Sequence, residues 1–157
     1  MEKFQITKEG YQKLRGEIDN LKNIERPKII SQIATARELG DLRENAEYHS
    51  AKDRQGFIEA HISDLEEKMN RVEVIDIAKL SGTKVRFGAT VMLENLDNSK
   101  KVKYKIVSDY EANIDDGLIS SISPVARALI GKEAGDEVEI NAPVGIINYE
   151  ILKVDFI

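Results

Sequence analysis

The sequence predicts an α+β protein, an N-terminal antiparallel α-helical coiled-coil hairpin followed by a half-buried antiparallel β-sheet domain with one short helix. Three observations lead there. From Tyr48 the seam positions run Tyr48, Ala51, Gln55, Ile58, Ile62, Leu65, Met69, Val72, in steps that alternate three and four. Such steps mark one helix packing along one partner. Upstream, Tyr11, Leu14, Ile18 and Leu21 follow the same rule. Beyond about residue 78 the period changes to two, most cleanly in Lys101-Val102-Lys103-Tyr104-Lys105-Ile106-Val107, the signature of a strand with one buried face.

Taken in order, Thr7 precedes Gly10 by three residues and is placed to cap a first helical turn. The seam loses phase across Glu25-Arg26-Pro27 and is expected to resume at Ile30, Ile33 and Arg37. Pro27 lacks a backbone donor and crowds the preceding turn, so a kink or register shift is expected there. Gly40 suits the positive-φ residue that ends a helix, and Asp41 suits the cap of the next one. The bend then falls at residues 40–44, between arms of about 30 residues and roughly 45 Å. That reach exceeds what a globule of 157 residues needs. It is the shape of a probe.

In the second half, residues 85–93, 101–107, 137–140 and 149–154 read as strands, with Asp97-Asn98-Ser99 as a hairpin turn. Ser123-Pro124 opens a short helix that Gly131 closes. The expected division is a hairpin domain over residues 1–76 and a sheet domain over 83–157, with 75–83 as linker.

Composition excludes several classes of function. Without cysteine there is neither disulfide framework nor thiol chemistry, and two histidines (His49 and His61) make a poor start for a zinc centre or a serine triad. No run of about 18 apolar residues offers a membrane span, so a soluble, cytoplasmic protein is expected. A net charge of −5 disfavours simple electrostatic coating of nucleic acid, though not a partner that already holds nucleic acid.

The segment with chemical content is Ala36-Arg37-Glu38-Leu39-Gly40-Asp41-Leu42-Arg43-Glu44-Asn45-Ala46-Glu47-Tyr48. On a first helical turn, Asp41 and Glu44 would share a face and could share a hard cation such as Mg²⁺. Two exposed carboxylates hold that ion weakly, so the remaining ligands must come from another macromolecule. The same spacing is also a capping box, with Asp41 as cap and Glu44 reaching back. Arg37, Arg43, Lys52 and Arg54 could contact phosphates near the tip or simply form a solvated face. Tyr48 could stack on a base, or begin the seam as a core residue. Asp115-Asp116 before Gly117 reads as a turn.

The tip segment, continued through His49-Ser50-Ala51-Lys52, resembles the hallmark of the GreA family of bacterial transcript cleavage factors. Thr7-Lys8-Glu9-Gly10-Tyr11-Gln12-Lys13-Leu14 resembles that family's N-terminus. Ser123-Pro124-Val125-Ala126-Arg127-Ala128-Leu129-Ile130-Gly131-Lys132, followed by Gly135-Asp136-Glu137-Val138, resembles its C-terminal signature. The resemblance covers essentially the whole chain and is closer to GreA than to its sister GreB. It implies an FKBP-like sheet domain docked at the rim of RNA polymerase's secondary channel, with the coiled coil inside the channel. It implies that Asp41 and Glu44 hold an Mg²⁺ jointly with polymerase and that Arg37 and Lys52 contact the nascent RNA 3′ end. Arg43 matches a position that varies in the family. The resemblance further implies a factor, monomeric when free, that stimulates polymerase's own cleavage activity and is not itself an enzyme. A different reading makes the second domain a peptidyl-prolyl isomerase or chaperone module with a coiled-coil arm. A third, a free-standing metal-dependent hydrolase, has too few ligands in too open a site.

Overall fold

A computed structural model describes residues 2–41 and 45–157, so Leu42, Arg43 and Glu44 lie outside the described residues. After a short first strand, the elements follow the expected order, helices and then sheet. The chain divides into two compact units, one of residues 1–2 and 11–72, the other of residues 3–10 and 73–157.

In the first unit, α1 (Lys8–Asn20) runs through a π-helical segment (Leu21–Glu25) into α2 (Arg26–Arg37), and α3 (Ala46–Arg71) packs against α2. The π turn is the physical form of the phase slip. The Arg26 N–H reaches back five residues to the Leu21 carbonyl, while Pro27 has no N–H to offer the carbonyl four residues before it. One extra residue is absorbed, so the buried positions continue as Ile29, Ile33 and Ala36. The expected Ile30 and Arg37 are displaced by one place. Ile30 is 51% exposed where Ile29 is 2% exposed. Ile29, Ile33 and Ala51 then form a cluster with Tyr48 and Ile58 against it. Ion pairs cross between the arms at Lys22–Glu66 (2.6 Å) and Arg26–Glu59 (2.7 Å), and His61 Nε2 lies 3.3 Å from the Glu17 carboxyl group.

The second unit holds a five-stranded sheet in the order β5-β4-β3-β7-β6, with β3 Thr90–Asn95, β4 Lys101–Val107, β5 Leu118–Ser120, β6 Glu137–Ala142 and β7 Gly145–Asp155. Val91, Leu93, Ile106, Ile119, Ile140 and Ile151 project into one core, beneath which lie Ala126 and Leu129 of α4 (Pro124–Leu129). Ser123 caps α4 through its hydroxyl, which accepts the Ala126 N–H at 3.2 Å.

Two strands depart from the sequence expectation. The predicted strand 85–93 begins only at Thr90, because Arg86 to Ala89 closes a tight turn (Ala89 N–H to Arg86 O, 3.0 Å). Val85 and Phe87 reach the core from outside the ladder. The sheet is also mixed, since β5 pairs in parallel with β4. After β4 the chain reverses twice, the second time through the Asn113–Leu118 bridge around a 3₁₀ turn. It therefore returns alongside β4 in the same direction.

A second, two-stranded sheet joins β1 (Phe4–Thr7) to β2 (Val72–Ile75). Neither strand was expected. Four residues are too few for alternation to stand out, and Val72 also satisfies the seam of α3. Among the described residues no helix is long and apolar enough to cross a membrane.

Candidate functional site at the hairpin end

The end of the hairpin is built by backbone chemistry. α2 stops at Arg37, where Leu39 N–H returns to Ala36 O (3.1 Å), and Gly40 follows at φ +130°. That positive φ is costly for residues with a Cβ. The other arm starts at Ala46, with Asn45 in extended conformation as its cap. The Asn45 side-chain oxygen accepts the Tyr48 N–H at 3.0 Å. Its side-chain N–H donates to the Ala36 carbonyl, so one side chain closes the end of α2 and the start of α3 together.

This geometry corrects the capping expectation for Asp41. Asn45 is the cap, and Asp41 lies four residues before it, outside the first turn of α3. Asp41 is therefore not on the first turn of α3. Asp41 is solvent-exposed. Glu44 and Arg43 lie outside the described residues.

Arg37 and Tyr48 are brought together. The guanidinium lies 6.0 Å from the ring centroid, near the outer limit of cation–π attraction. Tyr48 also packs against the Ile29, Ile33 and Ala51 cluster and meets His49 edge-on at 5.5 Å. Lys52 is one helical turn after Tyr48 and so shares its side of α3. It is exposed, with its ammonium 3.1 Å from the Gln55 side-chain oxygen. Between the arms, a groove of about 510 Å³ is lined by Ser31, Thr35, Glu47, Ser50 and Arg54, among others. Its hydroxyls and Arg54 offer hydrogen bonds to a polar chain. Sequence reasoning missed Asn45, although an Asn immediately before a periodic apolar run is a cap signal.

Asp41 offers the hard, exposed oxygen that suits Mg²⁺. Among the described residues no three acidic or histidine side chains converge on a cation position.

Phe87 is buried in the core, and Tyr104, Tyr149 and Phe156 are packed partly buried against it. Burial, with Tyr149 nearby, pushes the Tyr104 phenol above its ordinary value.

Two family descriptions match this chain in succession. "Transcription elongation factor, N-terminal" matches residues 4–74, and "Transcription elongation factor, GreA/GreB, C-term" matches residues 80–156. The transcription elongation factor GreA of Phenylobacterium zucineum is 53% identical over 157 residues, covering all of both chains. That of Caulobacter vibrioides is 52% identical over the same span, again with full coverage. The crystal structure of GreA factor homolog 1 of Thermus thermophilus is 25% identical, covers 97% of this chain and 98% of its own, and superposes with a TM-score of 0.45. With both of its halves matched and its full length shared at about half identity, the chain belongs to the GreA/GreB family of transcription elongation factors.

Proposed function

We propose that this factor enters the secondary channel of RNA polymerase and stimulates Mg²⁺-dependent endonucleolytic cleavage at the 3′ end of RNA in backtracked, arrested elongation complexes. Cleavage gives a new 3′ end in register with the polymerase centre, and elongation restarts. The reading is carried by one observation: the tip motif that marks the family is intact here, and its Asp41 stands exposed just beyond the end of α2.

The sheet domain, residues 83–157, docks at the rim of the channel, and the hairpin of residues 1–76 extends to the reacting phosphate. Asp41 and Glu44 hold Mg²⁺ jointly with polymerase's own carboxylates. Held by Asp41 and Glu44, such an ion would supply positive charge toward the reacting phosphate and make water a better nucleophile. A remaining carboxylate oxygen of the pair accepts a hydrogen bond from the attacking water and orients it. Arg37 and Lys52 contact phosphates of the extruded RNA, where charge-assisted hydrogen bonds hold the strand. Packing of Arg37 on Tyr48 limits the positions its guanidinium can take before RNA arrives. The catalytic centre is polymerase's; the factor contributes charge and position, and it acts as a monomer.

The test uses stalled, backtracked complexes with labelled RNA. Wild type is expected to release short 3′ fragments and to permit restart. Asp41→Ala and Glu44→Ala should still compete for polymerase but cleave poorly. Absence of cleavage with wild type, or undiminished cleavage with both variants, overturns the proposal.

A further inference from the structure

At the hairpin end one side-chain amide joins the two arms, and both of its partners lie with it in the first compact unit. The Asn45 nitrogen donates to the Ala36 carbonyl, nine residues back, and the Asn45 oxygen accepts the Tyr48 N–H at 3.0 Å. A carbonyl only accepts and an N–H only donates, so this orientation of the amide alone serves both. Ala36 is 3% exposed and Asn45 is partly buried, which shields the bond from competing water. The same carbonyl accepts the Leu39 N–H at 3.1 Å, so the last turn of α2 and the tie share one acceptor. Arg37 follows Ala36 directly, and its guanidinium stands 6.0 Å from the ring centroid of Tyr48.

Asp41 sits on the stretch between the two tied residues, five places after Ala36 and four before Asn45. The tie brings both ends of that stretch to one hydrogen bond. Without it, the nearest buried cluster joining the arms is that of Ile29, Ile33 and Ala51. The chain bounded by Ile33 and Ala51 is about twice as long, and a longer loop is closed at a greater cost in freedom. A side chain carried on the longer loop is spread over more positions. The helix cap cannot supply this constraint, because the bond from Tyr48 to Asn45 lies within the first turn of α3 itself. Cap and tie are therefore separable functions of one amide.

We propose that Asn45 is a positioning residue for transcript cleavage: by tying the end of α2 to the cap of α3, it restricts where Arg37 and Asp41 stand relative to the second arm. It acts through the Ala36 backbone rather than on RNA or metal. With the tie open, Asp41 spends less time at the position that cleavage needs. A small misplacement of a reacting group can cost about a hundredfold in rate, so loss of the tie is measurable. The inference rests on the cleavage reading above, and it adds an uncharged residue to the charged ones that reading names.

The test uses two variants that keep the cap and remove the donor. Aspartate and serine cap a helix about as well as asparagine. In Asn45→Asp the carboxylate has no N–H to give Ala36, and in Asn45→Ser a hydroxyl bonded to Tyr48 is too short to span to it. Amide hydrogen exchange is the readout independent of cleavage: it should stay as in wild type at Tyr48 and speed up at Leu39. In backtracked complexes, titration with the factor separates saturating rate from half-saturating concentration. Both variants are expected to lower the saturating rate by about tenfold, with half-saturating concentration within about twofold of wild type. Wild-type exchange at Leu39, or a wild-type saturating rate in either variant, overturns the tie, as does a change confined to half-saturating concentration. Equal speeding at Tyr48 and Leu39 in both variants makes cap and tie one function and overturns it too. Failure of wild type itself to cleave overturns the underlying reading instead, while exchange at Leu39 still tests the tie.

Discussion

The side-chain amide of Asn45 donates to the carbonyl of Ala36, nine residues back, and ties the last turn of one arm to the cap of the other. The same residue caps α3 by accepting the Tyr48 N–H. The two arms thus end in a shared hydrogen-bond closure.

Removing that closure should weaken the hairpin end alone. Asn45→Ala loses a helix cap, worth about 1 kcal/mol, and the bond to Ala36, worth about another 1 kcal/mol. Hydrogen exchange should speed up at Tyr48 and His49, with little change in the sheet domain. Unchanged exchange at Tyr48 would contradict the capping role.

Asp41 is not a cap, so its replacement should leave folding untouched. Asp41→Asn is expected to melt within about 0.5 kcal/mol of wild type, as for surface changes generally. In cleavage of backtracked RNA the same variant should be strongly deficient. Retained cleavage would remove Asp41 from the proposed metal-holding pair.

The π turn makes neighbouring isoleucines unequal. Ile29→Ala empties a buried position and should cost about 2–4 kcal/mol in urea unfolding of the hairpin. Ile30→Ala, on the exposed side, should cost well under about 1 kcal/mol. Equal losses would mean that the seam runs without the extra residue.

The Arg26–Glu59 pair gives a pH dependence with a definite sign. The hydrogen bond from Arg26 holds the Glu59 carboxyl below its ordinary value, and Glu59 in turn raises that of Arg26. Stability from this pair is present above the unfolded glutamate value, about 4.3, and is lost as pH falls through the lower folded value. Glu59→Gln should therefore flatten the acid side of the hairpin's stability profile and leave the neutral-to-alkaline side parallel to wild type. Because the pair is exposed, added salt should shrink the difference. An unchanged acid limb counts against the assignment.

Period and punctuation carried most of the architecture. The alternation of three and four placed both arms, Ser123-Pro124 placed α4, and Asp97-Asn98-Ser99 placed a hairpin turn. These signals are local, because each depends on residues within a turn or two of one another. The phase slip at Pro27 was visible too, but not its direction. Whether the helix absorbs or deletes a residue depends on what α3 presents opposite, and α3 is remote in sequence.

For the site, the sequence by itself determined which described side chains stand near the hairpin end, since Arg37, Asp41, Tyr48 and Lys52 are placed there by the length of the arms and the glycine that ends the first. Only the tertiary structure decided their relations. It made Asn45 rather than Asp41 the cap, because the Ala36 carbonyl was within reach of the Asn45 amide. It set the Arg37 guanidinium over the Tyr48 ring. It also took Thr7, which the sequence offered as an ordinary cap, and joined it to Glu111, 104 positions away. A cap is a contact between neighbours and can be read along the chain. A partly buried carboxylate finds its donors only once folding has brought distant segments together.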